Sequence, residues 1–242
     1  MKNLLLCLAF ALTLSAGAKA ESIRPPVVVE LFTSQGCYSC PPADRLLGEL
    51  VKEDGLVAIG YHVNYWDRLG WPDPFATKWG TDRQYGYAHA QRSRQVYTPQ
   101  MVVDGEMHTV GSDERHVRGL IKRARSNEKP ASPALEWRDG RTVRIALPDA
   151  PDAKGAEIWL IRFDEKQTTH IVRGENGGKR LAYHHVARAR QTLGRFGGAA
   201  QTIEAKVKPS DSPWGVAVLV QESGPGKIWG AAALLASERP GE

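Results

Sequence analysis

Cysteine is scarce in this sequence: three in 242 residues, at positions 7, 37 and 40. That is too few for a disulfide-built scaffold or a four-cysteine zinc site. Methionine is equally rare, and the seven histidines are scattered apart from His184-His185, so no Met- or His-rich metal-binding tract exists. After the opening residues, no segment stays apolar for the roughly 20 residues that cross a bilayer, and stable membrane insertion is not expected. Charge of one sign is lacking as well. The formal net charge is only +5, with Lys and Arg interspersed among Asp and Glu, whereas nucleic-acid binding requires basic residues gathered on one face. The exception, Lys122 to Arg125, falls at the end of a helical pattern, where cations complement the helix dipole. Repeats and low-complexity tracts are absent.

The chain begins with Lys2, an apolar run from Leu4 to Leu14, and an Ala18-Lys19-Ala20 exit. This is the pattern of a signal peptide over residues 1–20, cleaved near Ala20, and it predicts a periplasmic or secreted mature protein. Its removal takes away two lysines and no acid, which lowers the formal charge to +3. Cys7 leaves with it; Leu6 stands where a lipidation site would want a small residue. Two cysteines remain, in a compartment where thiols tend to oxidise. As a mere staple, a bridge between Cys37 and Cys40 would close a loop of about four residues, worth roughly 2 kcal/mol against about 3 for a fifteen-residue loop. So weak a staple directs attention to chemistry.

Val27 to Phe32 is β-branched and apolar, the pattern of a buried strand, and it runs into Thr33-Ser34-Gln35-Gly36 and the cysteines. From Ser39 to Glu53 the spacing of Leu46, Leu47, Leu50 and Val51 is helical, with Pro41 in the first turn and Gly55 available as a stop. Leu56 to His62 reads as a strand, Thr81 to Arg94 as a more polar helix, and Gln100 to Val103 and Glu106 to Val110 as strands around an Asp104-Gly105 turn. Ser112 is placed to cap a helix carrying Val117, Leu120, Ile121 and Ala124 on one face. The order strand, helix, strand, helix, strand, strand, helix is that of the thioredoxin fold. Lys129-Pro130-Ala131-Ser132-Pro133 reads as a linker. Beyond it, short alternating runs at Leu135 to Trp137, Thr142 to Leu147, Glu157 to Phe163, Thr169 to Arg173, Gln201 to Val207, Val216 to Gln221 and Ile228 to Leu235 predict a β-sandwich-like unit. Leu181 to Phe196 fits strand or helix equally. The expected fold class is thus an α/β thioredoxin-like domain over residues 21–128 followed by a β-rich, sandwich-like C-terminal domain over residues 129–242.

Cys37-Tyr38-Ser39-Cys40-Pro41 sets two sulfurs one helical turn apart at a helix N-terminus, where unpaired N–H groups and the dipole favour a thiolate. Cys37, nearer the loop, is the expected nucleophile, and Cys40 resolves the mixed disulfide. The stretches VVELFTSQGCYSCPPAD (Val28 to Asp44), HVNYWDRLGWPDPF and VYTPQMVVDG resemble a family of secreted proteins, domain-of-unknown-function family 1223. The resemblance extends to Leu181-Ala182-Tyr183-His184-His185-Val186-Ala187-Arg188, where the family is expected to carry Asn in place of His185. It implies a thioredoxin-like domain with a β-rich extension, and says little of substrate. Thr98-Pro99 resembles the Thr-Pro that thioredoxin folds place, with a cis bond, opposite the cysteine pair, which would open the Thr98 backbone to an extended substrate and let Pro99 help exclude metal. Glu30 resembles the buried carboxylate that handles the resolving cysteine's proton; the alternative is a strand carboxylate held by Arg or Lys. Tyr38, Trp66 and Trp71 are candidates for substrate contact, although aromatics in such a loop more often pack it down.

The expected activity is thiol–disulfide exchange with protein or small-molecule disulfides or dithiols and a redox partner of unknown identity. No cofactor and no bound metal are expected. A rival reading has Cys37 and Cys40 holding a soft ion such as Cu(I), with Met101 or His62 completing the shell; a further one is a non-catalytic module with a permanently oxidised pair.

Overall fold

The computed structural model describes residues 24–240; the expected signal peptide and Cys7 lie outside them. The elements are β1 (Val27–Thr33), α1 (Pro41–Leu50), β2 (Leu56–His62), α2 (Lys78–Ala90), β3 (Gln100–Val103), β4 (Met107–Val110), α3 (Glu114–Ala124), β5 (Ala134–Trp137), β6 (Thr142–Leu147), β7 (Glu157–His170), β8 (Arg180–Arg195), β9 (Gln201–Lys206), β10 (Trp214–Gln221) and β11 (Ile228–Leu234).

Local chemistry sets the helix ends, and it moves three of the expected boundaries. α1 starts after Cys40, whose carbonyl accepts the N–H groups of Ala43 and Asp44 at 2.9 and 3.1 Å; Pro41 and Pro42 occupy positions whose N–H would be unpaired anyway. α2 begins three residues before Thr81, because the Thr77 hydroxyl accepts the Gly80 N–H at 3.1 Å. α3 is capped by Asp113 and not Ser112: the Asp113 carboxylate takes the His116 N–H at 3.1 Å. The Asp104-Gly105 turn forms as expected, with φ of 50° and 77° and the Glu106 N–H on the Val103 carbonyl, the geometry of a type I′ turn.

An eight-stranded mixed sheet in the order β11-β10-β7-β8-β2-β1-β3-β4 and a three-stranded sheet β5-β6-β9 make up a mostly β architecture. β1 runs parallel to β2 and antiparallel to β3, which hairpins into β4. The large sheet does not stop at residue 128. β8 joins β2 through the parallel pair Gly60 and Val186, and β7, β10 and β11 extend it. The Lys129 to Pro133 segment, which reads as a linker, is tied down at two points. Lys129 is buried with its ammonium 2.9 Å from the Asp104 carboxylate, and the Ala131 N–H donates to the Trp229 carbonyl at 3.1 Å.

β10 explains its own unbroken apolar sequence, since it is covered on both faces. Val216, Val218 and Val220 pack with Val143, Ile145 and Leu147 of the small sheet, while Ala217 and Leu219 pack with Phe32, Tyr61 and Tyr87 from the other half of the chain. The opposite face of β1 and β2 carries α1 and α3 on Val29, Leu31 and Ala58. The run Thr169 to Arg173 is no separate strand: β7 continues to His170, and the ambiguous Leu181 to Phe196 segment is its long antiparallel partner β8. His185, in that strand, sits at φ 43°, a left-handed conformation that Asn adopts more readily than most residues. An Asn expected at this position therefore has a backbone reason.

Glu30 lies on the β1 face shared by Val28 and Phe32, away from α1. Its carboxylate is fully buried, bonded to Arg83 at 2.7 and 3.0 Å and to the Tyr87 hydroxyl, and Arg83 also reaches Gln221 on β10 at 2.8 Å. This is the Arg-held strand carboxylate, and it ties the two halves of the chain together. Arg83→Met should destabilise the fold by about 3–5 kcal/mol in urea unfolding, because the buried Glu30 carboxylate loses its counter-ion. Pairing it with Glu30→Gln should recover much of that loss. A double variant no more stable than Arg83→Met alone would show that the ion pair is not what matters there.

Candidate functional site at the Cys37–Cys40 disulfide

β1 delivers the chain to Ser34, whose carbonyl accepts the Cys37 N–H at 3.1 Å, and a second turn brings the Cys40 N–H to the Cys37 carbonyl at 3.2 Å. These two turns bring the Cα atoms of Cys37 and Cys40 to 5.4 Å, and the sulfurs are bonded. Both sulfur-bearing residues are 0% exposed, whereas Tyr38 between them is 68% exposed. The Ser39 hydroxyl lies 3.4 Å from Cys37 Sγ and donates to the Thr98 carbonyl at 3.4 Å, so it links the cysteine loop to the Thr98-Pro99 bond, which is cis.

The aromatic loop after β2 packs onto the cysteine loop. Trp66 Nε1 donates to the Thr98 hydroxyl at 2.8 Å and Trp71 Nε1 to the Gln35 side-chain carbonyl at 2.9 Å. Both indoles spend their only polar hydrogen inside the protein, which is the bracing role. Tyr38 is the candidate contact residue that faces solvent, with the Lys179 ammonium 4.9 Å from its ring centre.

Two further groups complete the site; sequence reasoning passed over the first and met the second only through His62, as a candidate ligand for a soft ion. The first is the tip of the β7–β8 hairpin, which lies over the cysteine loop. Asn176 is 0% exposed, and its amide donates to the carbonyls of Gln35 and Cys37 at 2.9 and 2.8 Å. The neighbouring Glu175 carboxylate accepts the Tyr38 N–H at 3.0 Å. Gln35 is held from the same hairpin by Thr169 at 3.0 Å. Nothing local in Gly174-Glu175-Asn176-Gly177-Gly178 announces this, since the contact spans about 140 residues of sequence.

The second is a buried polar cluster on the α1 side of the sheet, at the C-terminal ends of β1 and β2. The Thr33 hydroxyl donates to Asp44 Oδ1 at 2.8 Å, and His62 Nδ1 lies 2.6 Å from Asp73 Oδ2. Burial pushes the Asp44 carboxyl up to about 7, with His62 and the Thr33 bond pulling partly the other way. Burial acts in the same sense on Asp73. There it is outweighed by His62 and by the N–H groups of Gln35 and Phe75, and the carboxyl ends below its ordinary value. Tyr183 packs edge-on against His62, and burial together with the two carboxylates raises its hydroxyl well above the ordinary value. Asp44 had a sequence signature: it continues the Cys40, Leu47, Val51 stripe of an otherwise apolar helix face.

The arrangement suits the metal reading poorly. His62 Nδ1 is engaged with Asp73, Met101 is buried in the core with Leu31, and among the described residues no group of three His, Cys, Asp or Glu side chains is placed to hold an ion.

Fold and site together define a mixed-sheet protein, mostly β, that presents a CxxC disulfide at a helix N-terminus. The chain belongs to the family described as proteins of unknown function DUF1223, whose profile matches residues 28–221. A structural-genomics protein of Agrobacterium tumefaciens superposes with a TM-score of 0.78 at 33% identity, covering 89% of this chain and 96% of its own. HBP35 of Porphyromonas gingivalis shares the fold at 15% identity and a TM-score of 0.65, covering 90% of this chain and 78% of its own. A protein of Archaeoglobus fulgidus named probable thioredoxin is 28% identical over 104 residues, which are 43% of this chain and 94% of that protein. Among the described residues, no helix is long and apolar enough to cross a membrane.

Proposed function

We propose that the segment through α3 is a thioredoxin-like unit and that the protein is an exported thiol–disulfide oxidoreductase working through Cys37 and Cys40. The observation that carries this reading is the bonded cysteine pair at the start of α1, linked through Ser39 to the cis Thr98-Pro99 bond. The strand order β2-β1-β3-β4 and the similarity to a protein named probable thioredoxin support it, as does the signal-peptide pattern for export. Cys37 attacks or is attacked, Cys40 resolves, and Tyr38 with the Thr98 backbone contacts an extended disulfide-bearing partner.

One observation favours a second reading. Both cysteines are fully buried and the hairpin tip is bonded to their loop, as in a non-catalytic module whose pair stays oxidised. The two are separated by titrating the mature protein against glutathione while Cys37 is labelled by a thiol reagent across pH. Exchange requires a reversible couple and a Cys37 thiol that ionises below the ordinary value of about 8.5. A pair that resists glutathione and labels only on unfolding would leave the module reading standing.

A further inference from the structure

Of the two buried carboxylates nearest the cysteine segment in sequence, Glu30 is saturated by Arg83 and Tyr87 on the far face of β1. Asp44 is different. It is 5% exposed; Oδ1 is held by Thr33, and Oδ2 has no hydrogen-bond partner among the described residues. It stands four residues after Cys40 on α1, with its N–H on the Cys40 carbonyl at 3.1 Å. Residues i and i+4 share a helix face, and helical side chains lean toward the N-terminus over the preceding turn. The Asp44 carboxyl therefore shares the α1 face that carries Cys40.

Asp44 also has a route to solvent. It lines a groove of about 430 Å³ between α1 and β8, together with Arg45, Arg180 and His184. Gly48 keeps the groove in this shape: a Cβ there would come within 2.8 Å of the His184 ring.

We infer that Asp44 is the acid–base residue that exchanges the proton of Cys40 with solvent during the exchange reaction proposed above, on which this inference rests. In the mixed disulfide between Cys37 and a substrate sulfur, Asp44 Oδ2 takes the Cys40 proton. The Cys40 thiolate attacks Cys37 Sγ, the Cys37–Cys40 bond forms, and the bond from Cys37 to the substrate breaks. The departing thiolate is protonated from Asp44 or from solvent through the groove. The protein dithiol loses two electrons and the substrate disulfide, gaining them, becomes two thiols. The Asp44 carboxyl, raised to about 7 by burial against the counter-pull of His62 and Thr33, is half ionised where such a proton transfer works best. Asp73 raises it further and Arg45 lowers it; Tyr183 from β8 also faces it, and Glu49 and Lys52 from α1 with Arg180 and His184 from β8 are the other titratable groups that line the groove.

The test uses the reduced mature protein and an aromatic disulfide, 5,5′-dithiobis(2-nitrobenzoate), in stopped flow. One coloured thiolate is released when Cys37 is modified, and a second when Cys40 resolves. In the wild type the second phase should rise with pH around a midpoint near 7. Asp44→Asn keeps the shape and removes the base; the second phase should slow about tenfold or more at neutral pH and its midpoint move toward the ordinary thiol value of about 8.5, with the first phase unchanged. Thr33→Val removes the hydrogen bond that favours the ionised carboxylate and should move the midpoint upward without abolishing the phase. Thermal melting supplies a check that does not depend on turnover. A folded-state value above the unfolded one stabilises the protein below about pH 4, and this contribution is lost as pH rises through about 7; Asp44→Asn should flatten that part of the profile. An unchanged second phase in both variants overturns the role of Asp44 and leaves exchange intact. If the wild type releases no first thiolate, exchange itself fails.

Discussion

Cys37→Ser should abolish disulfide exchange, and Cys40→Ser should leave Cys37 able to attack and unable to finish. The asymmetry follows from position. Cys37 precedes the helix, in a loop whose neighbour Tyr38 faces solvent, whereas Cys40 opens α1 with its carbonyl already in the helical ladder. A nucleophile without its resolving partner stays covalently bound to substrate, so Cys40→Ser incubated with a protein disulfide should accumulate mixed disulfides that dithiothreitol releases, visible on a non-reducing gel. The closed loop is too short to contribute more than roughly 2 kcal/mol as a cross-link, so both variants should remain folded and the effect is chemical. Equal, mild losses in the two variants would rule out this division of labour.

The second large effect is expected 139 residues away from Cys37, at Asn176. Both cysteines are fully buried and the β7–β8 tip is bonded to the backbone of their loop; release of the tip is expected to expose the sulfurs, so that the population of the released state sets the rate of attack. Asn176 holds the closed state through two hydrogen bonds to loop carbonyls, and Lys179 in turn donates to its side-chain oxygen at 2.8 Å. Loss of a buried bond of this kind costs about 1–3 kcal/mol, and each 1.4 kcal/mol shifts an equilibrium tenfold. Asn176→Ala should therefore speed reduction of the disulfide by dithiothreitol by about tenfold or more, followed by alkylation and mass measurement. Val172→Ala, at the same tip with a side chain 61% exposed, should leave the rate unchanged. If Asn176→Ala is also unchanged, the sulfurs are reached without moving the hairpin, and the strap has no part in access.

If both effects appear together, residues 129–242 have a task in the chemistry, since their hairpin controls access to cysteines supplied by the first part of the chain. The same dependence is built into the core. Arg83 binds Glu30 of β1 and Gln221 of β10 at once, and the parallel contact of Gly60 with Val186 continues the sheet across the halves.

What the sequence determined by itself was local. The CxxC spacing after an apolar strand, the Asp104-Gly105 turn, the helical stripes and most strands beyond residue 129 depend on interactions within a few residues, and those are written in residue type and period. Boundaries moved where one side chain outbid another for the same backbone N–H, as Asp113 did over Ser112. Tertiary structure decided the rest. Glu30 and Asp44 are both acids within fifteen residues of one another, yet one meets an arginine and the other an unpaired pocket, because β1 turns alternate side chains to opposite faces and α1 covers only one. Asn176 acquires its role only when two strands of fourteen and sixteen residues carry their turn back to the cysteines. Local pattern can state that a hairpin forms, but where its tip comes to rest is fixed by sheet order and by the packing of both faces of β7 and β10, which no short stretch of sequence contains.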